Sequence, residues 1–277
     1  MNEELLRDRI RWVRDGAVAR IELASPATRN ALDGDMALAL REVAARLAEG
    51  TAGENLRVAL LTAQGPLFSV GGDLRWFAAA PDPSQRIAET ATLLHETLHI
   101  LAHIPLPVVS VLHGTVAGGG IGIALGADIV LAGSTAKLRV AYTAAGLSPD
   151  CGVSWFLARR IGQARALDLA LTNRVVAAEE LHQWGLVSRV VAQETLMNEA
   201  EEVVRTLVTG SAPALAATKQ LLRDAGEPPP VFKARLDAEA TSIANLLKGS
   251  DGREGLRAFL EKRAPLFSST NTEPLSS

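Results

Sequence analysis

His113-Gly114-Thr115-Val116-Ala117-Gly118-Gly119-Gly120-Ile121-Gly122-Ile123-Ala124-Leu125-Gly126-Ala127-Asp128 is the stretch around which the chain is organised. Before it runs Pro107-Val108-Val109-Ser110-Val111-Leu112, apolar and β-branched, as a buried strand requires. Within it, Ile121 to Leu125 is small and apolar enough to open a buried helix. Gly118, Gly119 and Gly120, at the join, carry no Cβ, so a ligand can approach the main chain closely. A helix that starts there leaves its first N–H groups without intrahelical partners. Those donors, with the positive end of the helix dipole, favour a negative atom. Two readings follow from the local sequence: an anion or oxyanion site, or a tight strand–helix turn that needs small residues for packing. A dinucleotide fingerprint fits poorly. Starting G-x-G-x-x-G at Gly118 puts its last glycine on Ile123, and Asp128 comes too soon to hold a ribose.

The rest of the composition narrows the class. The 277 residues are 48% hydrophobic and 21% charged, with formal net charge −3, which suits one large domain or a domain with an appendage. That charge gives no basic surface for nucleic acid, and at 4% aromatic the chain is poor in base-stacking side chains. Cys151 is the single cysteine, so no intrachain disulfide framework is expected and a reducing compartment fits. The start, Met1-Asn2-Glu3-Glu4-Leu5, has no apolar signal core, and no run approaches the roughly 20 apolar residues of a spanning helix. A cytoplasmic protein with no membrane partner is the expectation.

Along the chain, Ile10 to Leu23 predicts a hairpin turning at Asp15-Gly16. Asp33 is placed to cap a helix to about Glu49, with Met36, Leu40, Val43 and Leu47 at helical spacing. Leu56 to Thr62 predicts a buried strand, and Arg86 to Ile104 a helix ended by Pro105 and Pro107. Asp128 to Ala132 and Lys137 to Val140 are further strands, and the pattern is mostly helical from Val153. Alternating strands and helices argue for an α/β class. Three regions are expected: a core over 1–193, a helical region over 194–267, and a disordered tail over 268–277. Gly226-Glu227-Pro228-Pro229-Pro230 reads as a hinge or linker between helices, the last two of which are expected at Glu239 to Leu247 and Glu254 to Lys262.

Several segments in order carry a resemblance. They are Arg29-Asn30-Ala31-Leu32, Phe68-Ser69-Val70-Gly71-Gly72-Asp73-Leu74, His113-Gly114 with Ala117 to Gly120, Gly146-Leu147-Ser148-Pro149-Asp150, Trp184-Gly185-Leu186-Val187 and Phe259-Leu260-Glu261-Lys262-Arg263. Together they resemble the crotonase, or enoyl-CoA hydratase/isomerase, superfamily nearly end to end. The resemblance implies a spiral of ββα units with a helical C-terminal trimerisation region, assembled as a homotrimer or hexamer. It implies an acyl-CoA thioester as substrate, coenzyme A entering as part of that substrate, with no separate cofactor and no metal. It implies an oxyanion hole made by the N–H groups of Gly72 and Gly119. Such prepositioned amides are worth roughly 3–4 kcal/mol each to a developing oxyanion. By the same resemblance, Ala31, Val70, Asp73, Leu74, Arg75 and Tyr142 contact the substrate, and Phe259 and Lys262 reach its adenine end.

The chain also departs from the pattern. Hydratases of the family use two glutamates, and the matching positions here are Gly122 and Tyr142. Without that acid–base pair, ordinary hydration has no evident machinery. Asp150 remains, at the loop position where double-bond-shifting members and the 4-chlorobenzoyl-CoA dehalogenase branch carry an aspartate. In the first it moves a proton between carbons; in the second it attacks an aromatic ring. His95 matches the histidine of the dehalogenase branch. An isomerase-like enzyme using Asp150 is the leading reading. An aryl-CoA dehalogenase or thioesterase using Asp150 and His95, and a silent CoA-binding protein, are the alternatives. A plainer role for Asp150 is to cap the helix starting near Gly152.

One motif points elsewhere. His95-Glu96-Thr97-Leu98-His99 fits H-E-x-x-H on a helix, which puts two histidines on one face for zinc with Glu96 as base. No third ligand stands out downstream. Cys151, beside Asp150, is either a nucleophilic thiol or a small buried residue, and it lacks an evident base.

Overall fold

The computed structural model describes residues 2–53, 55–224 and 229–267. Its strands are β1 (Asn2–Leu6), β2 (Ile10–Asp15), β3 (Val18–Leu23), β4 (Val58–Ala63), β5 (Val108–Leu112), β6 (Thr115–Ala117), β7 (Ile129–Gly133), β8 (Lys137–Arg139), β9 (Val176–Ala177) and β10 (Arg189–Val191). Its helices are α1 (Gly34–Gly53), α2 (Leu74–Ala78), α3 (Pro83–His103), α4 (Gly119–Leu125), α5 (Val153–Ile161), α6 (Gln163–Thr172), α7 (Ala178–Gln183), α8 (Leu196–Thr209), α9 (Ala212–Asp224), α10 (Pro229–Lys248) and α11 (Ser250–Glu261).

One sheet runs in the order β1-β2-β3-β4-β5-β7-β10, and a smaller one runs β6-β8-β9. The β2–β3 hairpin is antiparallel, and β3, β4, β5, β7 and β10 are mutually parallel. Parallel strands are covered on both faces, so their residues are apolar without strict alternation. Val58, Leu60, Val109, Val111 and Leu131 meet Leu196, Val203, Val204 and Leu207 of α8 on one face. Ala59, Leu61, Val108 and Leu112 belong to the main core on the other, with Met36 and Leu40 of α1 and Leu94 and Leu98 of α3. The ordering is that of an α/β crotonase-type spiral followed by a helical C-terminal region.

Several expectations shift by a few residues, and three change in kind. β1 pairs with β2 through a segment that reads as a polar terminus. An edge strand tolerates such charge, and Glu3 and Glu4 pair with Arg11 and Arg46. β6 lies inside the glycine stretch, where three residues offer too short a pattern to read. Pro229 and Pro230 open α10 instead of linking helices. Proline is tolerated in a first turn, where its missing N–H has no partner to lose. Residues 226–228 of the expected hinge, and the expected tail 268–277, lie outside the described residues.

Candidate active site

Two bends meet at the centre of the molecule. Asn30, buried with φ +52, anchors the first: its Nδ2 donates to Gln64 O and Phe68 O, each at 3.0 Å, and its Oδ1 accepts from Ser25 N at 2.9 Å. Leu32 N then donates to Gly71 O at 2.8 Å, and Gly71 N to Ser69 Oγ at 3.1 Å. Ala117 N donates to Ser69 O at 2.9 Å, which ties the second bend to the first. Gly71 has φ +84, and a Cβ there would lie 2.8 Å from Ala117 O. The close approach therefore requires glycine. Among the described residues, neither Gly72 N–H nor Gly119 N–H is given an acceptor within the chain. Gly119 opens α4, so its N–H is one of the helix's orphan donors.

Beside these amides lies a cavity of about 430 Å³, whose wall includes Val70, Gly72, Leu74, Gly119, Tyr142 and Asp150. Its buried part is apolar, with Phe77, Ile87, Leu94, Leu147 and Ile243. Its exposed part carries Arg29, Arg139, Phe259 and Arg263. Ala31, Asp73, Arg75 and Lys262 are not on that wall. Ala31 is buried beneath the first bend. Asp73 caps α2, its Oδ1 accepting from Arg75 N at 3.0 Å and Trp76 N at 3.1 Å. Lys262 takes the left-handed C-cap of α11, and its neighbour Arg263 reaches the wall instead.

Asp150 is buried with 4% of its surface exposed, and it does not cap α5. Its Oδ1 lies 2.6 Å from His95 Nε2, so α3 supplies the group that holds it. His95 itself is behind Asp150 and off the cavity wall. Tyr142 OH donates to Asp150 O at 3.0 Å, and burial raises that phenol well above its ordinary pKa. Burial, and then the charge of Asp150, also push the Cys151 thiol well up. A thiol so disfavoured as thiolate is a packing residue, not a nucleophile.

Two features of this site were not legible as function. Gly122 faces Cys151 so closely that a Cβ would stand 1.7 Å from Cys151 O. No side chain fits there on this backbone, so the missing hydratase carboxylate is excluded sterically. The second feature is Glu239 on α10, buried and within 4.8 Å of His95 and Asp150 by ligand atoms. Its signal in the sequence is an acid on the apolar stripe Phe232, Leu236, Ile243, Leu247.

The three groups do not suit a metal ion. The His95–Asp150 contact is a hydrogen-bond distance, too short to bracket a cation. Glu239 already accepts from Gly152 N, Ser154 N and Ser154 Oγ. The H-E-x-x-H reading is likewise corrected, because Glu96 turns outward to Arg41 at 2.6 Å while His95 turns inward.

Residues 14–270 match the family described as enoyl-CoA hydratase/isomerase. The chain belongs to that family. Among relatives of this enoyl-CoA hydratase/isomerase family protein is the 1,2-epoxyphenylacetyl-CoA isomerase of Escherichia coli (strain K12). It is 34% identical over 90% of this chain and 94% of that protein. A probable enoyl-CoA hydratase of Rhodobacter capsulatus is 35% identical over 93% of this chain and 97% of its own length. The crystal structure of an enoyl-CoA hydratase from Mycobacterium avium subsp. paratuberculosis K-10 superposes with TM-score 0.82 at 28% identity. It covers 94% of this chain and 98% of that one. No helix among the described residues is long and apolar enough to cross a membrane.

Proposed function

We propose that this acyl-CoA-processing family member shifts a double bond in an enoyl-CoA, with Asp150 as acid and base. The observation that carries the reading is one buried carboxylate on the wall of an apolar cavity beside two unpartnered amides. The Asp150 carboxylate takes a proton from the carbon next to the thioester of a 3-enoyl-CoA. The C–H electron pair passes into a dienolate, whose charge rests on the thioester oxygen. Gly72 N–H and Gly119 N–H donate to that oxygen. The proton then returns from Asp150 to the far carbon of the dienolate, leaving the conjugated 2-enoyl thioester. Atoms and electrons balance without a redox or metal group, and coenzyme A enters as part of the substrate.

His95 acts through Asp150 as a positioning residue. It fixes Oδ1 and leaves the other oxygen toward the Cys151 side of the cavity. The buried apolar wall receives the acyl group, and Arg29 and Arg139 give the exposed end a cationic rim suited to the phosphates of coenzyme A. The reading includes self-assembly as a trimer or pair of trimers; the exposed Leu167, Leu171, Leu221 and Leu222 supply apolar surface for it. The His95–Asp150 contact also favours a second reading, aryl-CoA dehalogenation or thioester hydrolysis, in which the held carboxylate attacks carbon.

A panel of CoA thioesters separates them. Turnover of a 3-enoyl-CoA to the conjugated isomer, abolished in Asp150→Ala and reduced in His95→Ala, is the expected result. Chloride release from 4-chlorobenzoyl-CoA supports the second reading instead. Binding of coenzyme A thioesters without turnover of any sinks both.

A further inference from the structure

A carboxylate on the apolar face of α10 calls for a physical account. Phe232, Leu236, Ile243 and Leu247 are buried at helical spacing on that face, and Glu239 is buried among them. A buried carboxylate persists only where hydrogen bonds satisfy it. Here the donors come from α5, 87 residues away along the chain from Glu239 to Gly152. The N-cap of α5 is Gly152, which has no side chain to accept from the helix's first amides. Glu239 takes that place from another helix. Its Oε2 accepts from Gly152 N at 2.6 Å, and its Oε1 from Ser154 N at 3.0 Å and from the Ser154 hydroxyl.

The segment so gripped is the one that carries Asp150. Cys151 has φ +58 and Gly152 φ +72, two successive left-handed residues directly after it. A non-glycine residue in that region stays there only when its surroundings hold it. Cys151 lies against Gly122 on one side, and the next N–H along the chain, that of Gly152, is held by Glu239.

We infer that Glu239 is a positioning residue of this site: through Gly152 and Ser154 it fixes the bend that presents Asp150. The inference rests on the isomerase reading for its kinetic consequence and on geometry alone for the rest. The groups facing Glu239 are Asp150 and Cys151 from the bend, Tyr142 from the segment before it, and His95 from α3, with Ser154 as hydroxyl donor. Burial first, and then the charge of Asp150, raise Glu239 to about 7, although Ser154, Gly152 and His95 pull the other way. Asp150 alone is hydrogen-bonded to His95, and Glu239 gains its charge near neutrality. Once charged, it accepts more strongly from the Gly152 and Ser154 amides, so the bend that presents Asp150 is held more firmly.

The test compares wild type, Glu239→Gln and Glu239→Ala in the full chain. Turnover of a 3-enoyl-CoA is measured from mildly acid to mildly alkaline pH. In wild type, kcat steps upward near neutral pH. Glu239→Gln loses the step and about tenfold in kcat, within the roughly 10²-fold that misplacing a reacting group can cost. Its KM moves less than about twofold, since substrate binding is untouched. Glu239→Ala loses more, because the α5 amides have no acceptor. A Gln variant with wild-type kcat and an unchanged pH profile, whatever its melting temperature, overturns the proposal.

A second measurement needs neither a variant that folds nor the right substrate: a carboxyl-carbon NMR titration of wild type, with the Gly152 and Ser154 amide signals followed alongside. Glu239 titrating near neutrality, with those amides and the Asp150 carboxyl signal moving in step, supports the inference. Gly152, Ser154 and Asp150 signals that stay put as Glu239 titrates refute it. If wild type turns over no enoyl-CoA, the isomerase reading fails, and the titration still decides the part Glu239 plays.

Discussion

Asp128 and Asp150 are treated in opposite ways. Asp128 accepts from Val108 N at 2.8 Å and is flanked by Lys219 at 2.9 Å and Arg223 at 2.6 Å. Those cations, with Arg160, also donate to carbonyls at helix ends: Leu125 at the end of α4, Gly126 and Ala127 just after it, and Leu101 in α3. Positive groups at helix C-termini satisfy orphan carbonyls and suit the dipole. Arg160 is lowered only to about 10, first by burial and then by Arg223, so it stays charged at neutral pH. Around Asp150 the balance is reversed. Two buried carboxylates, Asp150 and Glu239, lie within 4.8 Å of each other and of His95, the only histidine in the group. The cation-rich cluster holds elements together. The cation-poor cluster includes Asp150, which lies on the wall of the cavity beside the Gly72 and Gly119 amides.

The sharpest way to break this contrast is to replace each aspartate by asparagine. Asp150→Asn is expected to lower turnover by about 10²–10⁴, the span of general acid–base catalysis, with little change in melting temperature. Asp128→Asn should do the reverse. Removing one partner from a partly buried ion cluster costs about 2–4 kcal/mol, less than for a fully buried pair, and the catalytic pH profile should not change. Thermal melts and steady-state rates on both variants decide it. Equal stability losses would show that the two clusters do the same work.

Gly122→Glu tests whether the crowded bend at Asp150 is what rules out hydratase chemistry. The variant restores the family's carboxylate but meets Cys151 O, so a loss of about 3 kcal/mol or more is expected and no hydration of a 2-enoyl-CoA. A stable variant that hydrates would show that the bend yields easily.

The smallest effect is a pH slope in stability. Glu239 has its folded pKa raised from 4.5 to about 7, so between those values the folded state binds the extra proton. Its contribution is fully present below the unfolded pKa and is lost as pH rises through the folded one. Relative to Glu239→Gln, wild type should lose on the order of 2 kcal/mol between about pH 5 and about pH 8. Denaturant midpoints of the two proteins at both pH values check it. A constant difference would mean that Glu239 is ionised throughout.

Much of the fold was legible because its signals are local. The Asp15-Gly16 hairpin, the Asp33 cap and the buried run at Val108 each rest on a few neighbouring residues, and each forms within a few residues of its expected place. The site was legible in part. Gly72, Gly119, Asp150, Tyr142 and Phe259 share one cavity; Asp73 also caps a helix, and on this chain's wall Arg263 rather than Lys262 lies beside Phe259. Glu239 was read only as the start of a helix, because nothing near it in sequence carries chemistry.

The sequence alone determined the family, the two small-residue bends and the absence of glutamate at 122 and 142, since each is a matter of which residues stand in which order. Only the tertiary structure decided that His95 and Glu239 both converge on Asp150, and that Cys151 leaves no room for a side chain at 122. Periodicity says which face of a helix is buried. What that face meets is set by how α3, α5 and α10 pack, and those partners lie 55 and 87 residues apart along the chain.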